Sequence, residues 1–136
     1  MCNGGIFRAI LEVKIINPVT GDSQKTYGII DTGADQCAVP ADFAQLLGHN
    51  LSAGTNRKIA TGNGETTAYG HTTRIEIFRP GLLDPVYTIQ DTPIDFMPNL
   101  PVVLLGVENF LNNFVLTIDY PSKQFSIKKP TQTLLF

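Results

Sequence analysis

Residues 7–16 alternate. Phe7, Ala9, Leu11, Val13 and Ile15 fall on one side of an extended chain, with Arg8, Glu12 and Lys14 on the other and Ile10 and Ile16 as exceptions. A period of two is the mark of a strand with one face buried. Asn17-Pro18-Val19-Thr20-Gly21-Asp22 then supplies turn chemistry, and residues 25–30 read as the returning strand of a hairpin. A chain that opens this way must find further sheet to cover the apolar face.

The rest of the sequence provides it. Residues 36–39 are short and apolar, and residues 41–47 read as a short helix with Pro40 at its start and Gly48 closing it. Strands are expected at residues 57–61 and 66–78, around Gly62-Asn63-Gly64, and again at 86–94. Val102-Val103-Leu104-Leu105 is unbroken apolar sequence, which suits a strand buried on both faces. One or two helical turns are expected over residues 107–113, then a final hairpin from 114–119 and 124–128. The pattern hairpin, apolar strand, glycine, short helix occurs twice, at Gly33 and at Gly106. The fold class is therefore all-β with one or two short helices.

The 136 residues are 43% apolar and 16% charged, a globular composition of ordinary size for one domain, read here as residues 1–136. The net charge is −2 and the longest basic run is Lys128-Lys129, so no nucleic-acid partner is expected. No apolar stretch approaches the roughly 20 residues needed to span a bilayer. Met1-Cys2-Asn3-Gly4-Gly5 lacks the basic and apolar regions of a signal peptide, which makes the cytoplasm the expected location. Cys2 and Cys37 are the only cysteines and are expected as free thiols; neither metal nor cofactor is implied.

Tyr27-Gly28-Ile29-Ile30-Asp31-Thr32-Gly33-Ala34-Asp35 places an acid directly after an apolar strand. A bare Asp-Thr-Gly is an ordinary turn sequence. Here Gly-Ala-Asp completes the motif, and a second apolar run ends in Leu104-Leu105-Gly106 far downstream. Together with Leu116-Thr117-Ile118-Asp119-Tyr120 near the end, this combination resembles the retropepsin-like aspartic proteases, the single-lobe relatives of pepsin. The resemblance runs from about Phe7 to Lys128. It implies a closed β-lobe of six to eight strands in which the run before Gly106 passes behind the acid loop. It implies Asp31, Thr32 and Gly33 as the catalytic triplet, with Thr32 bonding across a two-fold axis and Gly33 admitting substrate backbone. Ala34 and Asp35 would contact substrate, as would a flap over residues 57–71 with Gly62, Asn63 and Gly64 at its tip.

The chemistry asks for two carboxylates, one to act as base on a water and one, protonated, to polarise the scissile carbonyl. Such a pair shares a proton and titrates as a unit, as in aspartic proteases generally. This chain has one triplet. Asp22, Asp42, Asp84, Asp91, Asp95 and Asp119 lack the following Thr-Gly, and Asp35 lies in the same loop. The expected partner is therefore a second copy in an isologous homodimer, acting on a peptide or protein substrate. The alternative is a catalytically silent lobe that binds peptides or a protein partner. A third reading, a hydrolase built on Cys37 with His49 or His71, has nothing to place a base beside the thiol.

Two departures from the family stand out. Asp35 usually pairs with an arginine directly after the second glycine, where this chain has Val107 and Glu108, so Arg8 or another cation must substitute if anything does. Ala34 replaces a hydroxyl residue usual in pepsin-like lobes, which removes a stabiliser of the charged acid and places the expected optimum in mild acid. Ile30, Val102 and Leu104 are candidates for the apolar lining of a pocket and are equally explained as core; His71 reads as a surface strand residue and His49 as loop. Leu134-Leu135-Phe136 is either an interface strand or a loose tail.

Overall fold

The computed structural model of the chain describes residues 2–3, 6–62 and 64–131. The expectations for Asn63 and for Leu134-Leu135-Phe136 lie outside the described residues, as does the Cys2 side chain. The described residues form eleven strands: β1 (Cys2–Asn3), β2 (Ile6–Phe7), β3 (Ile10–Ile16), β4 (Ser23–Ile30), β5 (Ala38–Pro40), β6 (Thr55–Thr61), β7 (Gly64–Phe78), β8 (Tyr87–Met97), β9 (Val103–Leu105), β10 (Val115–Asp119) and β11 (Gln124–Lys128). One α-helical turn, α1 (Phe43–Leu46), and two 3-10 turns, Leu51–Ala53 and Leu111–Asn113, complete the described elements.

The main sheet runs β3-β4-β9-β5-β8-β7-β6, and β7 also pairs with β3. Six strands thus close into a barrel, with β6 attached outside the closure. Closure depends on the length of β7. Its first half pairs with β6 and its second half with β3, while β8 lies along its other edge. A register shift between Thr73 and Ile75 bends it. Closing the sheet removes the exposed edges that an open sheet of these strands would present.

The alternation at the start of the chain orients the core. Leu11, Val13 and Ile15 are buried while Glu12 and Lys14 face outward. Ile75, Ile77, Phe96, Val103, Leu105 and Phe110 fill the interior with them. Full burial of each such side chain contributes roughly 1.5–3 kcal/mol, so the inward set rather than any local propensity holds the barrel. The terminal hairpin β10–β11 lays Leu116, Phe125 and Ile127 against this core.

Three local expectations need correction. Pro40 closes strand β5 instead of starting the helix, which begins at Phe43 after Asp42. The helical turns expected over residues 107–113 reduce to a turn and the single 3-10 turn Leu111–Asn113. The strand expected to stop at Ile94 continues to Met97 through Pro93. Pro93 stands opposite Thr72 of β7, while β5 joins β8 only from Asp95 onward, so the other edge of β8 has no paired strand at the proline among the described residues. No helix among the described residues is long and apolar enough to cross a membrane.

Candidate active site

Strand β4 delivers Asp31. It pairs in parallel with β9, Ile30 opposite Leu105, and the chain then turns away. The Asp31 amide still donates to the Leu105 carbonyl at 3.1 Å, so the acid starts its loop tied to β9. The Gly33 amide donates to Asp31 Oδ1 at 2.9 Å and the Ala34 amide to the Asp31 carbonyl at 3.2 Å. The turn chemistry expected of Asp-Thr-Gly is therefore present, and it fixes one carboxylate oxygen. Asp31 is half-buried, and Thr32 and Gly33 are exposed.

After the loop the chain returns as β5 on the far side of β9, with Ala38 opposite Leu104. Strand β9 thus runs between the strand that enters the acid loop and the strand that leaves it. Gly106 follows directly. A Cβ there would lie 2.5 Å from the Gln36 carbonyl oxygen and 2.7 Å from that of Ala34, so only glycine fits behind the loop. The next two amides clamp it: Val107 donates to the Ala34 carbonyl at 2.9 Å and Glu108 to that of Asp35 at 2.8 Å.

Asp31, Gly33, Ala34 and Asp35 form one wall of a cleft of about 700 Å³, and Ile59, Ala60 and Gly62 of the β6–β7 hairpin form another. The hairpin therefore overhangs the acid. Of the residues expected at the site, Asp31, Gly33, Ala34, Asp35 and Gly62 meet in this cleft. Thr32 stands beside them on the exposed loop, outside the lining, and Gly64 is exposed at the hairpin turn with φ +110°. Of the apolar candidates Leu104 borders the cleft, whereas Ile30 belongs to the core and Val102 is half-buried outside the lining.

Among the described residues no cation forms an ion pair with Asp35; Arg8 bonds to the Phe7 carbonyl instead. The cation in the cleft is Arg57, from β6. It pairs through Nη2 and Nε with both carboxylate oxygens of Asp95, and Nη2 also donates to Gln36 Oε1 at 2.8 Å. Gln36 Nε2 donates in turn to Glu108 Oε2 at 3.1 Å. The hydrogen bond Arg57 donates to Asp95 raises the Arg57 pKa above its ordinary value, burial acts the other way, and the charges of Asp95, Glu108 and Asp35 add to the rise. Asp95 is only 8% exposed and depends on this partner. Sequence reasoning set Asp95 aside for lacking Thr-Gly and did not single out Arg57. No local signal marks the pair, because it joins residues far apart in the chain.

Cys37 is a free, buried thiol whose pKa burial pushes up to about 11, although the Gly106 amide bonded to its sulfur acts the other way. A thiol held neutral is the reverse of an activated nucleophile. The histidines stack on each other with centroids 4.6 Å apart, and each meets the Phe96 ring edge-on. His71 Nε2 donates to the Leu51 carbonyl at 2.9 Å, and His71 is a half-buried residue of strand β7. Neither imidazole is hydrogen-bonded to the thiol. Among the described residues no three His, Cys, Asp or Glu side chains converge as a metal site.

A closed β-lobe with a single acid loop locked by a strand passing behind it, under an overhanging hairpin, is the architecture of a one-lobe acid protease. The aspartyl protease family model matches residues 17–108, about two thirds of the chain, and the protein belongs to that family, with the fold of a retropepsin-like lobe. Among solved structures, a retropepsin-like aspartic protease from Rickettsia conorii aligns with TM-score 0.58 at 22% identity, over 90% of this chain and 99% of that one. EIAV protease complexed with the inhibitor HBY-793 aligns with TM-score 0.48 at 16% identity, over 82% and 93%. No curated protein sequence matches.

Proposed function

We propose that the protein is an aspartic endopeptidase whose active site forms when two copies bring their Asp31 carboxylates together. The observation that carries this reading is the Asp31 loop itself. Its carboxylate is oriented by the Gly33 amide, sits in a cleft of peptide-accommodating size, and belongs to an exposed Thr32-Gly33 turn that a second copy can meet. No other acid in the chain is followed by Thr-Gly.

In the pair, one Asp31 takes a proton from water as the water attacks the scissile carbonyl carbon. Its mate, protonated, donates to the carbonyl oxygen as it gains charge. Two adjacent carboxylates resist double ionisation, so the single shared proton that this division of labour needs is the favoured state. Gly33 lets the substrate backbone approach without meeting a Cβ, and the overhanging hairpin excludes bulk water once substrate is bound.

Cleavage of a peptide library, inhibited by pepstatin, tests the reading. Asp31→Asn should reduce cleavage by at least about a thousandfold, the scale of losing the acid–base pair, with the unfolding midpoint unchanged. Full activity in purified, folded Asp31→Asn would refute the assignment.

A further inference from the structure

The β6–β7 hairpin leaves the barrel at a definable rung. Strand β8 supports β7 as far as Tyr69, opposite Phe96, and Tyr69 is opposite Asn56 on β6. Arg57, opposite Ala68, is therefore the first β6 residue on a rung that β8 does not reach. Beyond it the hairpin is a two-stranded ribbon, and such a ribbon alone is marginal in water.

Arg57 reaches back from that rung to the barrel. Its partner Asp95 lies opposite Gly70, and Ala68 and Gly70 share one face of β7. Between the two charges the sheet thus carries only a methyl group and a hydrogen, which leaves the arginine a path across β7. The same Nη2 that meets Asp95 also donates to Gln36, two residues before Ala38 and five after Asp31. One side chain joins the ribbon to the barrel wall and to the acid loop. A planar fork with several donors can do this, whereas a lysine ammonium on its flexible stem cannot hold the same set of acceptors.

We propose that Arg57 is a positioning residue that holds the β6–β7 ribbon closed over the Asp31 cleft. Its effect on the ribbon follows from geometry alone; its effect on substrate binding rests on the peptidase reading. Opening the ribbon for substrate must swing Arg57 away from Gln36 while Asp95, being buried, retains its counter-ion. The Gln36 contact is therefore the one that breaks first, and the Asp95 contact acts as the pivot.

Hydrogen exchange of the intact chain, followed at the amides of residues 58–60 and 65–68, tests this. The double variant Arg57→Met/Asp95→Asn avoids leaving a lone buried carboxylate that would risk unfolding. Its ribbon amides should exchange roughly ten-fold faster or more, the scale of losing a charge-assisted hydrogen bond, while β3 and β9 keep wild-type protection. Arg57→Lys should keep the barrel intact and give intermediate ribbon exchange. In peptide cleavage the double variant should raise KM more than it lowers kcat. Unchanged ribbon exchange in the double variant, or an equal rise in β3 and β9, would overturn the proposal, and wild-type exchange in Arg57→Lys would overturn the link through Gln36. A wild-type protein without pepstatin-sensitive activity would remove the peptidase reading and leave the exchange result to decide the ribbon's restraint.

Discussion

Asp31 is aimed by backbone, through the amides that bind its carbonyl and one carboxylate oxygen. Backbone donors move little, so the acid keeps its direction with no help from a hydroxyl at position 34. His49 is a residue of another kind. Its Nε2 is buried and takes no hydrogen bond among the described residues, and its ring lies on His71. Burial, and then the charge of His71, hold its pKa below the usual 6.5. The unfolded chain therefore binds a proton that the folded chain refuses between those two values. His49 contributes full stability above pH 6.5, and that contribution is lost as pH falls through the lower folded value. Urea unfolding midpoints should be higher at pH 7.5 than at pH 5.5, and His49→Gln should flatten that part of the profile. Identical profiles for the two proteins would remove His49 from the account.

Among the elements, β9 matters out of proportion to its three residues. It is parallel to β4 and antiparallel to β5, so it pins both ends of the acid loop at once. Gly106 completes the lock by passing against the loop's carbonyls. In Gly106→Ala the new methyl would meet backbone that cannot rotate aside, with a cost of about 2–3 kcal/mol or more and a displaced acid loop. Gly28→Ala meets only the Leu105 side chain at 3.1 Å and should cost about 1 kcal/mol, because a side chain can shift. Denaturant titration of the two variants checks the order. A Gly106→Ala protein as stable as Gly28→Ala would show that the loop has slack the geometry does not suggest.

At the scale of the whole molecule, the barrel closes on itself, and under the proposed function it supplies one of the two carboxylates that the reaction uses. The proposed pairing makes activity a property of concentration. Specific activity should rise with protein concentration as lobes associate, and light scattering should show a dimer over the same range. A tight monomer with undiminished specific activity on dilution would exclude the shared site.

What the sequence determined by itself was local. Alternation in β3 set its buried face, Gly and Asn placed the turns, and Asp-Thr-Gly followed by a distant Leu-Leu-Gly identified the acid loop and the strand behind it. These features were legible because each depends on neighbours along the chain or on a motif whose residues have few alternatives. The chain ends of elements were less legible: Pro93 continues a strand because of where β5 happens to begin, which no local rule contains. The bridge from Asp95 through Arg57 and Gln36 to Glu108 was decided only by tertiary structure. It exists because β7 separates β6 from β8 by one strand's width and carries Ala68 and Gly70 where a larger side chain would block the path. A contact of that kind depends on which strands become neighbours, and strand order is settled by closing the barrel around its core.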